Sequence, residues 1–149
     1  MPTYKRPVSV LVVIHSPDLQ ILLLERASHP GYWQSVTGSQ EGEESLADTA
    51  RREVGEETGL DCDAFRLLDW HQTQTFEIFQ EWRHRYAPGV THNQEHVFSL
   101  ELPAPQPVRL APREHLAYRW VPWQQAATEV FSWTNRDAIQ ALGEGFRPT

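Results

Sequence analysis

Three glutamates in the middle of the chain, Glu53, Glu56 and Glu57, have the spacing i, i+3 and i+4. On an α-helix these positions lie within a sector of about 100°, so the three carboxylates converge on one side. Carboxylate oxygens are ligands of hard divalent cations, and Mg²⁺ usually keeps several waters while also contacting substrate phosphates. The spacing is therefore consistent with a site for Mg²⁺, with Mn²⁺ possible. The alternative is an acidic helix face that contacts only solvent, and spacing alone favours that alternative.

Other acidic residues are concentrated around this triplet. The chain has 149 residues, a formal net charge of −7 and twenty Asp and Glu, of which seven lie between Gly38 and Leu60. Like charges at helical spacing cost about 0.2 to 0.5 kcal/mol per pair, so a compensating cation is expected. The negative net charge argues against a nucleic-acid partner, because binding a phosphate backbone depends on a basic surface.

The composition predicts one folded domain spanning residues 1–149. It is 40% hydrophobic and 22% charged, which is too apolar for a disordered chain. The longest apolar runs, 10–14 and 21–24, are much shorter than the roughly 20 residues of a membrane helix, and no signal peptide is recognisable. The single Cys62 cannot form an intrachain disulfide. We therefore expect a cytoplasmic protein without a membrane partner, and the sequence does not predict its oligomeric state.

The elements that position the glutamates can be predicted from caps and periodicity. Ser45 is a candidate N-cap with Asp48 three residues later, and Gly59 is a candidate C′ residue, so a helix is expected from there to Thr58. Strands are predicted at 7–14, 21–26, 33–37, 65–79, 97–102 and 116–121. A short helix is predicted at 122–130, and a last helix capped by Thr134 and ending at Gly143. This order indicates an α+β fold, a mixed sheet between helices.

The residues around the triplet also match a longer pattern. Gly38 is followed after five residues by Glu44, after seven more by Arg52, and then by Glu53-Val54-Gly55-Glu56-Glu57-Thr58-Gly59-Leu60. This resembles the Nudix box at every fixed position, although the loop has Gly42-Glu43-Glu44 where many family members have Gly directly before the glutamate. The resemblance implies a loop-helix-loop on a Nudix α/β/α sandwich with a mixed curled sheet, and hydrolysis of a nucleoside diphosphate derivative or a related diphosphate.

The Nudix resemblance also implies roles for the matching residues. Glu53 and Glu57 correspond to the usual metal ligands, Glu56 commonly assists, and the carbonyl of Gly38 is a further candidate ligand. Arg52 is grouped with the catalytic residues, and its i, i+4 spacing to Glu56 would let it orient that carboxylate.

Similarity extends along most of the chain, at 4–9, 33–39, 76–79, 83–90, 114–118 and 132–136. These stretches resemble Nudix enzymes that act on dihydroneopterin triphosphate in bacterial folate biosynthesis. The resemblance implies magnesium-dependent release of pyrophosphate, leaving dihydroneopterin monophosphate. The substrate contacts it implies are Lys5, Arg26, Thr37, Phe76, Glu77, Ile78, Phe79, Ser132 and Trp133. Cations such as Lys5 and Arg26 suit phosphate oxygens, and aromatic side chains suit a flat heterocycle; exposed strand cations and core aromatics are the alternatives.

Glu114 is the candidate outside the box. In the Nudix family a glutamate from a distant loop often completes the metal site, and the match at 114–118 assigns that role to Glu114. Either Glu56 or Glu114 could be the general base, and His115 is either a proton-transfer group or a packing residue. His84, His92 and His96 form a rival metal cluster in sequence, but they have no recognisable zinc pattern.

Two other functions are compatible with the same box. One is a Nudix pyrophosphohydrolase that acts on purine deoxynucleoside triphosphates such as dATP, because a pterin and a purine are similar bicycles. The other is a non-catalytic Nudix domain that senses a phosphorylated ligand. Loss of box glutamates would mark such a sensor, and none is lost here.

Overall fold

The computed structural model describes residues 3–148. Seven strands and three α-helices are arranged in the order β1 (Val8–His15), β2 (Gln20–Arg26), β3 (Trp33–Gln34), β4 (Val36–Ser39), α1 (Leu46–Thr58), β5 (Arg66–Glu77), β6 (His92–Glu101), β7 (His115–Pro122), α2 (Trp123–Glu129) and α3 (Trp133–Gly143). Two short 3₁₀ segments, Cys62–Ala64 and Gln80–Arg85, flank β5; the sequence patterns did not predict them. None of the helices in residues 3–148 has the length and apolarity needed to cross a membrane.

The sheet is mixed, as predicted. Its main order is β3-β2-β1-β6-β5, while β4 pairs with β1 and β7 pairs with β2. The β1–β6 pair is parallel, and the other pairs are antiparallel. This connectivity places the N-terminal strand β1 at the centre, next to β4, which leads into α1.

Helices cover both faces of the sheet and create two cores. On one face, β1 residues Val10 and Val12 pack in a cluster with Ala50 and Val54 of α1. On the other face, Leu11 packs in a cluster that includes Ile139 of α3. Because successive strand residues point to opposite faces, one apolar strand supplies both cores. The fold is the predicted α/β/α sandwich.

Both predicted ends of α1 are confirmed. The Ser45 hydroxyl accepts a hydrogen bond from the Asp48 N–H at 3.1 Å. Gly59 has φ 74°, and its N–H donates to the Gly55 carbonyl. Left-handed backbone at this position is strained for most other residues, which explains why glycine ends the helix. Packing of Ala50 and Val54 in the core then fixes which side of α1 carries the three glutamates.

The predicted boundaries of three elements were wrong. Helix α3 is capped by Ser132, whose hydroxyl accepts from the Asn135 N–H, whereas the predicted cap Thr134 is buried within the first turn. Strand β6 begins at His92 rather than at 97, because the polar segment before Val97 pairs with both β1 and β5. The predicted strand 33–37 is divided at Ser35, whose N–H donates to the Asn135 side chain at 2.8 Å.

Candidate active site

The three box glutamates have different environments although they share one side of α1. Glu57 is only 2% exposed, the Glu53 side chain is 13% exposed, and Glu56 is exposed. A methyl group at Gly38 would overlap the Glu53 carboxylate. Glycine at the end of β4 therefore allows the Glu53 carboxylate to lie directly against the strand backbone.

Arg52 connects the acidic loop to the helix. Its guanidinium donates to Glu44 Oε1 at 2.7 Å and to the Ser39 carbonyl at 2.9 Å. The same group donates to Glu53 Oε1 at 2.6 Å, whereas its predicted contact with Glu56 is longer, at 3.4 Å. Hydrogen bonding to Arg52 lowers the pKa of Glu44 to about 2. In this arrangement Arg52 contacts Glu53 more closely than Glu56.

Glu114 and His115 approach the helix from the segment leading into β7. One potential ligand atom from each of Glu57, Glu114 and His115 lies within 4.8 Å of the other two. His115 Nε2 is 3.6 Å from Glu57 Oε1. Burial, followed by the positive charge of Arg26, lowers the pKa of His115 to about 4, so its ring is neutral at pH 7. The structure thus brings Glu114 to the box although 56 residues separate it from Glu57.

This donor set fits a divalent cation. Both carboxylate oxygens of Glu57 are buried and have no hydrogen-bond partner among residues 3–148. Burial, followed by its contact with Glu53 and the charges of nearby glutamates, raises the pKa of Glu57 well above its ordinary value. A buried carboxylate without a partner is costly, and hard oxygen donors around it are the ligands that Mg²⁺ and Mn²⁺ prefer.

A group of cations lies beside the acidic cluster. Lys5 reaches the cleft through a backbone bridge in which its N–H donates to the Arg85 carbonyl at 2.8 Å. Arg26 donates to Gln34 at 2.9 Å, and its guanidinium lies 4.7 Å from the centre of the Trp82 ring. Partial burial, followed by the positive charge of Arg85, lowers the pKa of both Lys5 and Arg26. Repulsion among these three cations would be relieved by an anion such as a polyphosphate.

Aromatic side chains form another wall of the same cleft. Phe79 packs against Trp82 with ring centres 5.0 Å apart, and both lie near Phe131. Phe79 and Trp133 are about half exposed, although both side chains are large and apolar. Exposed aromatic faces at a concave surface are suited to stacking against a flat ring.

All of the residues that the sequence analysis assigned to the site line one cleft of about 870 Å³. Ile78 is buried, and its N–H donates to the Thr91 carbonyl. It therefore contributes to the cleft as a packed part of the wall, with its backbone N–H already paired. The Glu77 carboxylate is paired with Arg83 at 2.8 Å. The rival histidine cluster does not form: within the described part of the chain, the group of potential metal ligands is Glu57, Glu114 and His115.

Several residues that line the cleft were not predicted from the sequence. They are Gln34, Trp82, Arg85, Asn93, Glu95, Arg113 and Phe131. Arg85 lies within a stretch whose resemblance was noted, so a signal for it existed. Asn93 and Glu95 gave no such signal, because polar residues before the apolar part of β6 were not assigned to a strand.

Comparison with known proteins agrees with the family that the Nudix box indicates. The NUDIX domain model matches residues 5–142. The chain is 48% identical to the dihydroneopterin triphosphate diphosphatase of Escherichia coli K12, over 92% of each chain. It is 40% identical to the Haemophilus influenzae protein of the same name, over 94% of this chain and 89% of that one.

Comparison of the folds gives the same result. The solved structure of the E. coli dihydroneopterin triphosphate pyrophosphohydrolase superposes with a TM-score of 0.88 at 48% identity, covering 93% of this chain and 95% of that one. The residues matched by the NUDIX domain model, 5–142, include the complete box and the sheet that carries it. The chain therefore belongs to the Nudix hydrolase family.

Proposed function

We propose that this protein is a diphosphatase that hydrolyses dihydroneopterin triphosphate to dihydroneopterin monophosphate and pyrophosphate. The observation that carries the proposal is 48% identity, over 92% of both chains, to an E. coli protein named for that activity. The cleft supports the proposal, because it combines carboxylates, cations and exposed aromatic rings. The proposal includes a single domain over residues 1–149 and a cytoplasmic location.

The carboxylates would hold Mg²⁺, with Mn²⁺ as the alternative. Glu53, Glu57 and Glu114 are the proposed ligands, and Glu56 and the Gly38 carbonyl are further oxygen donors. When bound, the cation acts as a Lewis acid toward the phosphate oxygens and the attacking water. The unpartnered oxygens of Glu57 are the feature of the protein that most favours this assignment.

The remaining side chains bind the substrate and move the proton. Lys5 and Arg26 would bind phosphate oxygens. Arg26 donates to the side chain of Gln34, which in turn donates to the Thr37 hydroxyl, so Thr37 lies close to Arg26. Either Glu56 or Glu114 would accept the proton of the attacking water. General base catalysis of this kind typically contributes about 10²- to 10⁴-fold in rate.

The aromatic wall and the start of α3 would hold the heterocycle. In this proposal the segment Phe76, Glu77, Ile78 and Phe79, together with Ser132 and Trp133, contacts the pterin. Trp133 and Phe79 are the exposed rings, and they are the candidates for stacking.

Pyrophosphate release from dihydroneopterin triphosphate, dGTP and dATP would test the proposal. We expect the highest kcat/KM for the pterin triphosphate, and loss of turnover after chelation with recovery on adding Mg²⁺. A kcat/KM for dATP equal to or above that for the pterin triphosphate would instead identify a purine nucleotide pyrophosphohydrolase. Tight binding without turnover of any of the three would identify a ligand-sensing domain.

A further inference from the structure

Glu95 is a buried carboxyl group that the chemistry described above does not use. It lies on β6, where it pairs with Ser9 of β1 and with Gln74 of β5. The residue is 4% exposed, yet it lines the cleft. Its Oε1 has no hydrogen-bond partner among residues 3–148. A buried acceptor that faces a cleft and has no partner requires a donor from a ligand or from water.

Asn93 provides a second acceptor on the same face of the sheet. It precedes Glu95 by two residues in β6, and side chains two apart in a strand share a face. Its amide nitrogen donates to the Ser9 hydroxyl at 2.7 Å, which directs the amide. Its Oδ1 is buried without a partner within the described residues, and Asn93 also lines the cleft. Two residues that line the same cavity therefore each carry a buried oxygen without a partner.

The surroundings of these two acceptors suit a flat ring. Phe76 pairs with Asn93 across β5 and β6, and both Phe76 and Trp133 line the cleft. Burial raises the pKa of Glu95 to about 7, and the polar side chain of Thr134 partly opposes that rise. Donors from a bound ligand would favour the ionised carboxylate.

We propose that Glu95 determines which heterocycle the enzyme accepts, by receiving hydrogen bonds from a ring N–H and an adjacent exocyclic amino group, with Asn93 receiving a further N–H. This inference rests on the proposed function for the identity of the substrate. The 2-amino-4-oxopyrimidine ring of a pterin presents that pair of adjacent donors. Guanine presents the same pair, whereas adenine has an unprotonated ring nitrogen beside its amino group.

Glu77 is less suited to this role. Its side chain is 67% exposed and forms an ion pair with Arg83 at 2.8 Å. A carboxylate that is already paired and hydrated discriminates weakly between ligands, whereas a buried acceptor without a partner penalises any ligand that fails to supply a donor.

Glu95→Gln tests the inference, because the amide is nearly isosteric but replaces one acceptor by a donor. We expect kcat/KM for the pterin triphosphate and for dGTP to fall by about 100-fold, and that for dATP to change by less than about threefold. The matched control is Glu101→Gln, at the far end of the same strand and outside the cleft. It should leave all three values unchanged.

A second readout needs neither metal nor turnover: the binding of unphosphorylated dihydroneopterin in EDTA, measured through the fluorescence of the ligand. Glu95→Gln should weaken this binding, and Glu95→Asp, which keeps a carboxylate, should retain the preference for dGTP over dATP. An equal fall for all three triphosphates, or unchanged dihydroneopterin binding, would overturn the inference.

The same measurements separate this inference from the proposed function. If the unsubstituted enzyme hydrolyses the pterin triphosphate best but Glu95→Gln preserves its preference over dATP, the proposed function stands and the inference is wrong. If it prefers dGTP to the pterin triphosphate and Glu95→Gln abolishes discrimination against dATP, the proposed function is wrong and the role of Glu95 stands.

Discussion

At the scale of single residues, Glu57 combines burial with like-charged neighbours. It is 2% exposed, and Glu53, Glu56 and Glu114 all raise its pKa. Without a bound metal ion, such a carboxylate destabilises the folded protein, because its charged form is poorly solvated and is repelled by the neighbouring glutamates. The same feature makes it an effective cation ligand, so function and stability should respond to its replacement in opposite directions.

Glu57→Gln is therefore expected to lower kcat by at least about 100-fold and to weaken Mg²⁺ binding, because it removes a proposed ligand charge. In EDTA at pH 8 the free energy of unfolding should increase, because the buried charge is gone. Kinetics, calorimetric Mg²⁺ titration and chemical denaturation would measure these effects. Glu43→Gln, which changes an exposed acid in the loop that precedes α1, is the control. Unchanged Mg²⁺ affinity in Glu57→Gln would show that the helix face is only solvated.

Glu114→Gln separates a role in the site from a role in folding. Glu114 is exposed, so its loss should change the melting temperature little. Because an oxygen atom of Glu114 lies within 4.8 Å of a ligand atom of Glu57, kcat and kcat/KM should fall together, by about 10²- to 10⁴-fold if it is the general base. Glu56→Gln measured in parallel identifies which carboxylate contributes more. Normal kcat in folded Glu114→Gln protein would remove this residue from the site.

At the scale of secondary-structure elements, local signals explain what could be predicted from the sequence. Helix α1 has a serine cap, a glycine stop and an apolar stripe, all of which act within a few residues, and both of its ends were predicted correctly. Strand β6 lacked such a signal in its first half, because Asn93 and Glu95 face the cleft while the alternating His92 and Gln94 are exposed, so that both faces are polar. The predicted cap Thr134 was wrong because Ser132, two residues earlier, caps the helix by accepting from the Asn135 N–H.

The junction of β4 and α1 gives a prediction at this scale. Gly38→Ala should lower kcat and Mg²⁺ affinity by about tenfold or more, because a Cβ there would overlap the Glu53 carboxylate and displace it. Gly55→Ala is the matched control, since a Cβ on this exposed part of α1 would meet only an ordinary contact at 3.9 Å. That control should keep activity and gain up to about 1 kcal/mol in stability. Equal kinetics for both variants would contradict the role assigned to Gly38.

At the scale of the whole molecule, the cleft combines segments from both ends of the chain. Lys5 precedes the first strand, Glu114 precedes the last strand, and Trp133 begins the last helix, yet all three line the same cavity. Resemblance to the Nudix family identified these residues, whereas spacing and periodicity did not, because they describe only local structure. Glu95 shows the limit most clearly: it is buried because β6 lies between β1 and β5, and no local pattern reveals that position.

Burial of Glu95 should also make the stability of the whole protein depend on pH. Its pKa is raised to about 7 from 4.5, so between these values the folded protein holds a proton that the unfolded chain has released. Stability from this group is complete below about pH 4.5 and is lost as the pH rises to about 7. The paired neighbours of Glu95 on β1 and β5, Ser9 and Gln74, are uncharged, so neither adds a titration in this range.

Glu95→Gln lacks this titration. The free energy of unfolding of the variant, relative to that of the unsubstituted protein, should therefore increase as the pH rises. A pKa difference of about 2.5 corresponds to a relative gain on the order of 3 kcal/mol between pH 4.5 and pH 8. Denaturant unfolding in EDTA at a series of pH values would measure it, with Glu101→Gln as the control that should follow the unsubstituted protein. A constant difference between Glu95→Gln and the unsubstituted protein at every pH would mean that Glu95 titrates as it does in the unfolded chain, and that the interior of the cleft is hydrated.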